Sequence, residues 1–208
     1  MTDRRGDPYA GVPGRRIFAA IPLAPDARSA VESLVGAVRA SADPGEREVR
    51  WVRLDGLHVT LRFIGPTLDP RIPDALEAVR VAASESTPFE VGLAGAGAFP
   101  DPIRPRALWL GIGTGVDELS ALTRAIDREL AARGWLVEER PFRPHLTLAR
   151  SDGVGTGSRT AARLKMEADG LDVRWNVDRV VLFESVTGGG PARYLPIGEG
   201  PLGEAAAR

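Results

Sequence analysis

Two short stretches of this chain carry the same pattern of histidine, any residue, threonine and leucine. The first is His58-Val59-Thr60-Leu61 and the second is His145-Leu146-Thr147-Leu148. The chain has 2 histidines, and both begin this pattern. A β-strand presents alternate residues to one face, so each stretch predicts an imidazole and a hydroxyl side by side, roughly 7 Å apart.

Two such strands facing each other would give a site suited to a phosphate group. Histidine titrates near pH ~6.5, so one imidazole can take a proton from water while the other gives one to a leaving oxygen. The threonine hydroxyls and a nearby arginine would stabilise the charge that builds on the phosphorus oxygens. The pattern therefore predicts acid–base catalysis of phosphoryl transfer without an obligatory metal. Because the two stretches are symmetric, their spacing does not say which histidine is the acid.

Short strands and three long helices are predicted around the two motifs, which is typical of the α+β class. The predicted strands lie at 16–21, 49–52, 57–64, 89–99, 107–112 and 145–149, and the helices begin near 25, 69 and 117. A strand is predicted to begin at 135–137, and a Gly-rich loop at 151–158 precedes a weak helix at 160–168. Closing strands follow at 171–175, 179–183 and 192–196. In the first motif strand, alternation places Arg62 on the face of His58 and Phe63 on the opposite face.

Bulk composition excludes several classes of protein. The 208 residues carry a formal net charge of −1, so no general basic field would hold a long nucleic acid. The chain has 0 cysteines, which excludes disulfides and thiolate metal sites. It shows neither the apolar core of a signal peptide nor an apolar run long enough to span a bilayer. We therefore expect a cytoplasmic protein with a single domain at 16–202 between tails at 1–15 and 203–208.

The motifs and their surroundings resemble those of the 2H phosphoesterases, in particular the RNA 2′,3′-cyclic phosphodiesterases, also called 2′-5′ RNA ligases. The resemblance rests on the two motif stretches and on several landmarks around them. These are Arg16-Ile17-Phe18-Ala19-Ala20-Ile21, Trp51, Leu108-Trp109-Leu110, Pro141-Phe142-Arg143-Pro144, Leu182-Phe183-Glu184-Ser185 and Tyr194. It covers most of the chain, from Arg16 to about Leu202.

This resemblance implies a bilobed fold in which two antiparallel sheets line a central cleft, with helices outside. It implies hydrolysis of a terminal 2′,3′-cyclic phosphate to a 2′-phosphomonoester, with reverse 2′-5′ ligation as a second activity. His58 would be the proton donor and His145 the proton acceptor, while Thr60 and Thr147 hold phosphate oxygens. Arg150, which closes the second motif, would bind phosphate too. We expect an RNA 3′ end as the substrate of a monomer that needs no cofactor, membrane or obligate protein partner.

Two further side chains are candidates for substrate binding. Arg62 would line the cleft if it shares the face of His58, although a surface arginine fits the sequence about as well. Phe142 could stack on a base, although a core aromatic residue also fits. Trp51 and Trp109 lie in apolar strands and are expected in the core. Ser185 and Tyr194 are interpreted as structural.

Several alternative functions remain open at this level. The same chemistry could act on a small cyclic nucleotide, on ADP-ribose cyclic phosphate or on a 2′-5′ linked oligonucleotide. A module that binds RNA ends without turnover is another class, and the two intact motifs disfavour it. A hydrolase with a two-histidine metal site would need acidic ligands on the motif strands, and Asp55 is the single acid close to either motif.

Overall fold

The computed structural model describes residues 12–43, 49–151, 155–188 and 191–203. In these ranges the chain forms nine strands and four α-helices. The strands are β1 (Arg15–Pro22), β2 (Arg50–Trp51), β3 (His58–Thr67), β4 (Phe89–Phe99), β5 (Ala107–Thr114), β6 (His145–Arg150), β7 (Val173–Val177), β8 (Arg179–Val186) and β9 (Arg193–Pro201). The helices are α1 (Pro25–Ala40), α2 (Ile72–Ser84), α3 (Val116–Ala132) and α4 (Gly155–Glu167).

All nine strands belong to one curled antiparallel sheet with the order β7-β4-β5-β6-β3-β1-β8-β9, and β2 pairs with β6 beside this path. The two motif strands, β3 and β6, are therefore neighbours at the centre of the sheet. They are joined through one backbone pair, Val59 with Leu146. The predicted α+β class is confirmed, and the two predicted sheets are the two halves of this one sheet, which meet at β3 and β6.

The helices pack on the sheet through apolar faces that are visible in the sequence. In α1, Val31, Leu34, Val35 and Val38 recur at helical spacing and are buried. Burying each such side chain contributes roughly 1.5–3 kcal/mol. The longest of these helices, α3, ends at Ala132, and Gly134 follows it with a φ of 85°, a left-handed conformation that glycine adopts at no steric cost.

A β-bulge lies at the same place in each motif strand. In β3, Arg62 pairs with Ala19 and Thr60 with Ala20, so Leu61 is the extra residue. In β6 the pairing with β5 likewise skips Leu148, which is the leucine of the second motif. An extra residue reverses the alternation of side chains beyond it. Three positions after each motif threonine, Phe63 therefore returns to the face of Thr60, and Arg150 returns to the face of Thr147.

Several predicted boundaries differ from the structure. Residues 135–137 form no strand, because the whole connection from 135 to 144 lacks regular structure. Helix α4 begins at Gly155, inside the region predicted as a loop, and 152–154 lie outside the described residues. The predicted tails at 1–15 and 203–208 also lie largely outside them, although β1 already begins at Arg15. None of the helices in the described ranges is long and apolar enough to cross a membrane.

Candidate active site

The two motifs meet at a pair of adjoining hollows on the sheet. The first hollow, of about 210 Å³, is lined by His58, Thr60, Thr147 and Arg150, among others. The second, of about 560 Å³, is lined by His145 and again by Thr60. Thus the structure brings together the four motif side chains and the arginine that follows the second motif.

Each imidazole is held by a hydrogen bond of the same kind. Nδ1 of His58 lies 2.7 Å from the carbonyl oxygen of Gly56, and Nδ1 of His145 lies 2.6 Å from that of Arg143. A carbonyl can only accept, so Nδ1 carries the proton and donates it in both rings. In the neutral form, the other nitrogen of each ring, Nε2, is therefore left as a proton acceptor.

Aromatic rings surround both histidines, more completely for His58. The centroid of its ring lies 4.8 Å from that of Phe18 and 4.7 Å from that of Tyr194, which meets it edge-on. His145 contacts Phe99 edge-on at 5.0 Å, with Trp109 farther away at 6.3 Å. These rings fix the orientation of the imidazoles and exclude water from one side of each.

The pKa of both histidines is lowered from the usual 6.5. For His58 the main cause is burial, which disfavours the charged ring, and the nearby His145 adds to it. Burial is also the main cause for His145, and the positive charge of Arg150 acts in the same direction. In each case the hydrogen bond to the carbonyl opposes the shift. Both imidazoles are therefore largely neutral at pH 7 in the free protein.

The motif threonines present their hydroxyls without a competing partner. Thr60 and Thr147 are half-buried, and within the described ranges neither hydroxyl bonds to a protein acceptor. Arg150 is exposed at the end of β6, and the bulge at Leu148 brings it onto the face of Thr147. Two hydroxyl donors and a guanidinium thus border one hollow, a set of groups suited to the oxygens of a phosphate.

Arg62 is held by protein acceptors, and the bulge at Leu61 changes the face that plain alternation predicts for it. Beyond the bulge at Leu61 its guanidinium lies 2.5 Å from a carboxylate oxygen of Asp127 and donates to the carbonyl oxygen of Leu136 at 2.6 Å. A third nitrogen donates to the carbonyl oxygen of Phe63. With 8% of its surface exposed and a protein acceptor for each nitrogen, Arg62 borders the second hollow but acts as a structural cross-link. Binding of substrate by Arg62 stays a prediction.

Phe142 lies half-buried on the wall of the second hollow, beside Arg143 and His145. It also packs against the core. The stacking of a base on this ring stays a prediction.

Several residues of the first hollow were not expected to contribute to it. The bulge at Leu61 turns Phe63 onto the face of Thr60, where it lines both hollows. Tyr194 and Ser185, interpreted from the sequence as structural, and Val52 also line the first hollow. The edge-on ring of Tyr194 depends on the pairing of β8 and β9, which no local pattern near His58 could reveal.

The titratable groups of the site form no evident metal cage. In the part of the chain that the structure describes, no three histidine or carboxylate side chains cluster as metal ligands would. Asp55, the acid nearest to the first motif in sequence, is instead paired with Arg53 at 2.6 Å.

Both the sequence and the fold of this chain match those of known proteins. The sequence model of the 2′-5′ RNA ligase superfamily matches residues 24–189. The RNA 2′,3′-cyclic phosphodiesterase of Aeropyrum pernix is 39% identical over 106 residues, which are 51% of this chain and 59% of that protein. The enzyme of the same name from Geobacillus stearothermophilus is 33% identical over 133 residues, which are 64% of this chain and 41% of that protein.

The fold is shared with solved structures over nearly their whole length. The structure of E. coli LigT complexed with 3′-AMP superposes with a TM-score of 0.67 at 26% sequence identity, covering 90% of this chain and 98% of that one. In sequence, however, the chain spans only about half the length of the relatives it matches.

Proposed function

Because the chain belongs to the 2′-5′ RNA ligase superfamily, we propose that it is a phosphodiesterase that opens the 2′,3′-cyclic phosphate at an RNA 3′ end. The product is the 2′-phosphomonoester. Two relatives bear the name of this activity, and E. coli LigT was solved with 3′-AMP, a nucleotide with phosphate at the same end of the ribose. ADP-ribose cyclic phosphate and small cyclic nucleotides are alternative substrates for the same chemistry.

One observation carries this proposal, namely the duplicated imidazole arrangement. Each ring donates from Nδ1 to the carbonyl two residues earlier, which leaves Nε2 as the reactive nitrogen. Each ring is also followed, two residues on, by a threonine that borders the first hollow. Two proton-transfer groups on neighbouring strands suit a reaction in which one oxygen attacks phosphorus while another leaves.

In the reaction, the two histidines take the acid and base roles that the family resemblance implies. Nε2 of His145 takes a proton from water, whose oxygen attacks phosphorus. The bond from phosphorus to the 3′ oxygen breaks, and His58 gives its proton to that oxygen. Arg150 favours neutral His145, as a base requires, whereas the negative phosphate raises the pKa of His58 toward the protonated form that an acid requires. The two threonine hydroxyls and Arg150 stabilise the charge on the remaining phosphate oxygens.

Reverse 2′-5′ ligation is a second candidate activity. The larger hollow beside His145 offers room for a nucleoside in place of water, and its wall carries Phe142 and Arg143. A 5′-hydroxyl positioned there would meet the same base that activates water. Without such a second nucleoside, the site would carry out hydrolysis alone.

The test is to incubate the protein with a short RNA that ends in a 2′,3′-cyclic phosphate, with and without a chelator. The products are resolved by the position of their phosphate. We expect the 2′-phosphate at an equal rate in both samples, because the residues supply the acid and the base themselves. A 3′-phosphate product would show that the roles of the two histidines, or the orientation of the substrate, are reversed. A strict need for metal would refute the mechanism. Tight binding of RNA with no product would indicate a binding module.

A further inference from the structure

A second arginine lies directly across the sheet from Arg150. In the antiparallel pair formed by β2 and β6, Arg50 is the register partner of Arg150, and Trp51 is that of Ala149. Cross-strand partners in such a pair have Cα atoms about 5 Å apart and side chains on the same face of the sheet. Arg50 therefore projects from the face on which Arg150 borders the first hollow.

The position of Val52 gives independent support for this orientation. Val52 follows Arg50 by two residues, and its backbone nitrogen donates to the carbonyl oxygen of Leu148 at 2.9 Å, which continues the pairing with β6. Residues two apart in a strand share a face. Val52 itself lines the first hollow, so Arg50 lies on the same face, beyond the wall that Val52 and Arg150 form.

Two like charges held opposite each other in a sheet are destabilising unless an anion lies between them or beside them. Both side chains are exposed, and within the described ranges neither contacts a carboxylate. Some other exposed arginines do have such a partner, as Arg128 has Glu85 at 2.5 Å and Arg53 has Asp55 at 2.6 Å. Among the described residues, no carboxylate therefore offsets the positive charge of Arg50 and Arg150 beside the site.

We propose that Arg50 binds a second phosphate of the substrate, the backbone phosphate next to the terminal nucleotide. The reacting phosphate already has both imidazoles, both threonine hydroxyls and Arg150 around it, so an additional cation one strand away faces the next anion along the chain. This inference rests on the proposed function and deepens it. The preferred substrate is an oligoribonucleotide with at least one internal phosphate, rather than a mononucleotide.

The experiment compares two substrates across three proteins. The substrates are a pentaribonucleotide with a terminal 2′,3′-cyclic phosphate and a mononucleoside 2′,3′-cyclic phosphate. The proteins are the wild type, Arg50→Gln and the control Arg128→Gln, which loses the same charge from an exposed site on α3. For Arg50→Gln we expect kcat/KM to fall about 5–10-fold on the pentanucleotide and at most about 2-fold on the mononucleotide, since a charge-assisted contact to one phosphate is lost.

Two further readouts separate this role from a structural one. For binding of a pentanucleotide with a 3′-phosphate, the slope of log affinity against log salt should become shallower by about 0.7 in Arg50→Gln, as expected for one lost contact to a single strand. Arg50→Lys should recover part of the loss, and Arg128→Gln should match the wild type on both substrates.

Equal losses on both substrates, or no loss on either, would overturn the assignment of Arg50. If the wild type opened neither cyclic phosphate, the proposed function would fail. The salt dependence of binding would then still decide whether Arg50 contacts an RNA phosphate, because an unchanged slope in Arg50→Gln would refute it.

Discussion

Replacing Arg62 by alanine distinguishes a structural arginine from a substrate-binding one. Its side chain is 9% exposed and its partner, that of Asp127, is 19% exposed, so the ion pair is largely shielded from water. Alanine would remove the hydrogen bonds that Arg62 donates to the carboxylate of Asp127 and to the carbonyl oxygens of Phe63 and Leu136. Breaking a buried pair by removing one partner costs about 3–5 kcal/mol.

The expected loss is large enough for a thermal melt to measure. For a protein of this size, each kcal/mol shifts Tm by about 2–4 °C, so Arg62→Ala should melt about 6–20 °C lower than the wild type. Arg62→Lys should lose nearly as much, because an ammonium cannot reach three acceptors in different directions. Arg128→Ala is the control, since its exposed pair with Glu85 contributes about 1 kcal/mol or less.

Activity measured well below the melting temperature completes this test. With the fold intact, kcat/KM of Arg62→Ala should fall only a few-fold, because each nitrogen of its guanidinium already donates to a protein acceptor. A variant that melted with the wild type yet lost activity 100-fold or more would show that Arg62 binds substrate after all.

Three further predictions follow from the site and its surroundings. The profile of kcat/KM against pH should be bell-shaped with its maximum below pH 6.5, midway between two histidine pKa values that are both lowered, and a maximum at pH 7 or above would contradict those shifts. Gly97→Ala should destabilise the fold by about 1–3 kcal/mol and lower kcat, because a Cβ there would lie 2.4 Å from the ring of Trp109, which supports His145. The control for the thermal melt of Gly97→Ala is Gly36→Ala in α1, where an added Cβ meets nothing within 4 Å. This control should leave the stability of the fold unchanged or raise it. A hydrogen bond from Arg140 lowers the pKa of Glu138 from 4.5 to about 2. The charged Glu138 therefore contributes fully to stability above pH 4.5, and this contribution is lost as the pH falls toward 2. Between pH 5 and pH 3, the Tm of Glu138→Gln should therefore fall by less than the Tm of the wild type. An equal fall in Tm for the two proteins would refute this.

The motif residues could be predicted because their chemistry is rare in this chain. With 2 histidines in 208 residues, both before a threonine at the same spacing, local sequence was sufficient to indicate the site. The apolar faces of α1 and α3 were equally clear, because helical spacing depends on neighbouring residues alone.

The orientation of side chains beyond each motif could not be predicted, because it depends on partner strands far away in the sequence. The bulge at Leu61 arises from the register with β1, and it exchanges the faces of Arg62 and Phe63. The prediction from plain alternation was wrong for both residues. The pairing of Arg50 with Arg150 likewise joins residues 100 positions apart and has no local signal.

The assignment of His58 and His145 as acid and base is tested most directly by replacing each with alanine. The two variants and the wild type are assayed for opening of a terminal 2′,3′-cyclic phosphate, with circular dichroism and Tm as controls for folding. Each single replacement should lower kcat by about 10²–10⁴-fold while the fold remains intact, because each imidazole transfers one of the two protons. Near-normal turnover by either variant, with its fold intact, would contradict the two-histidine mechanism.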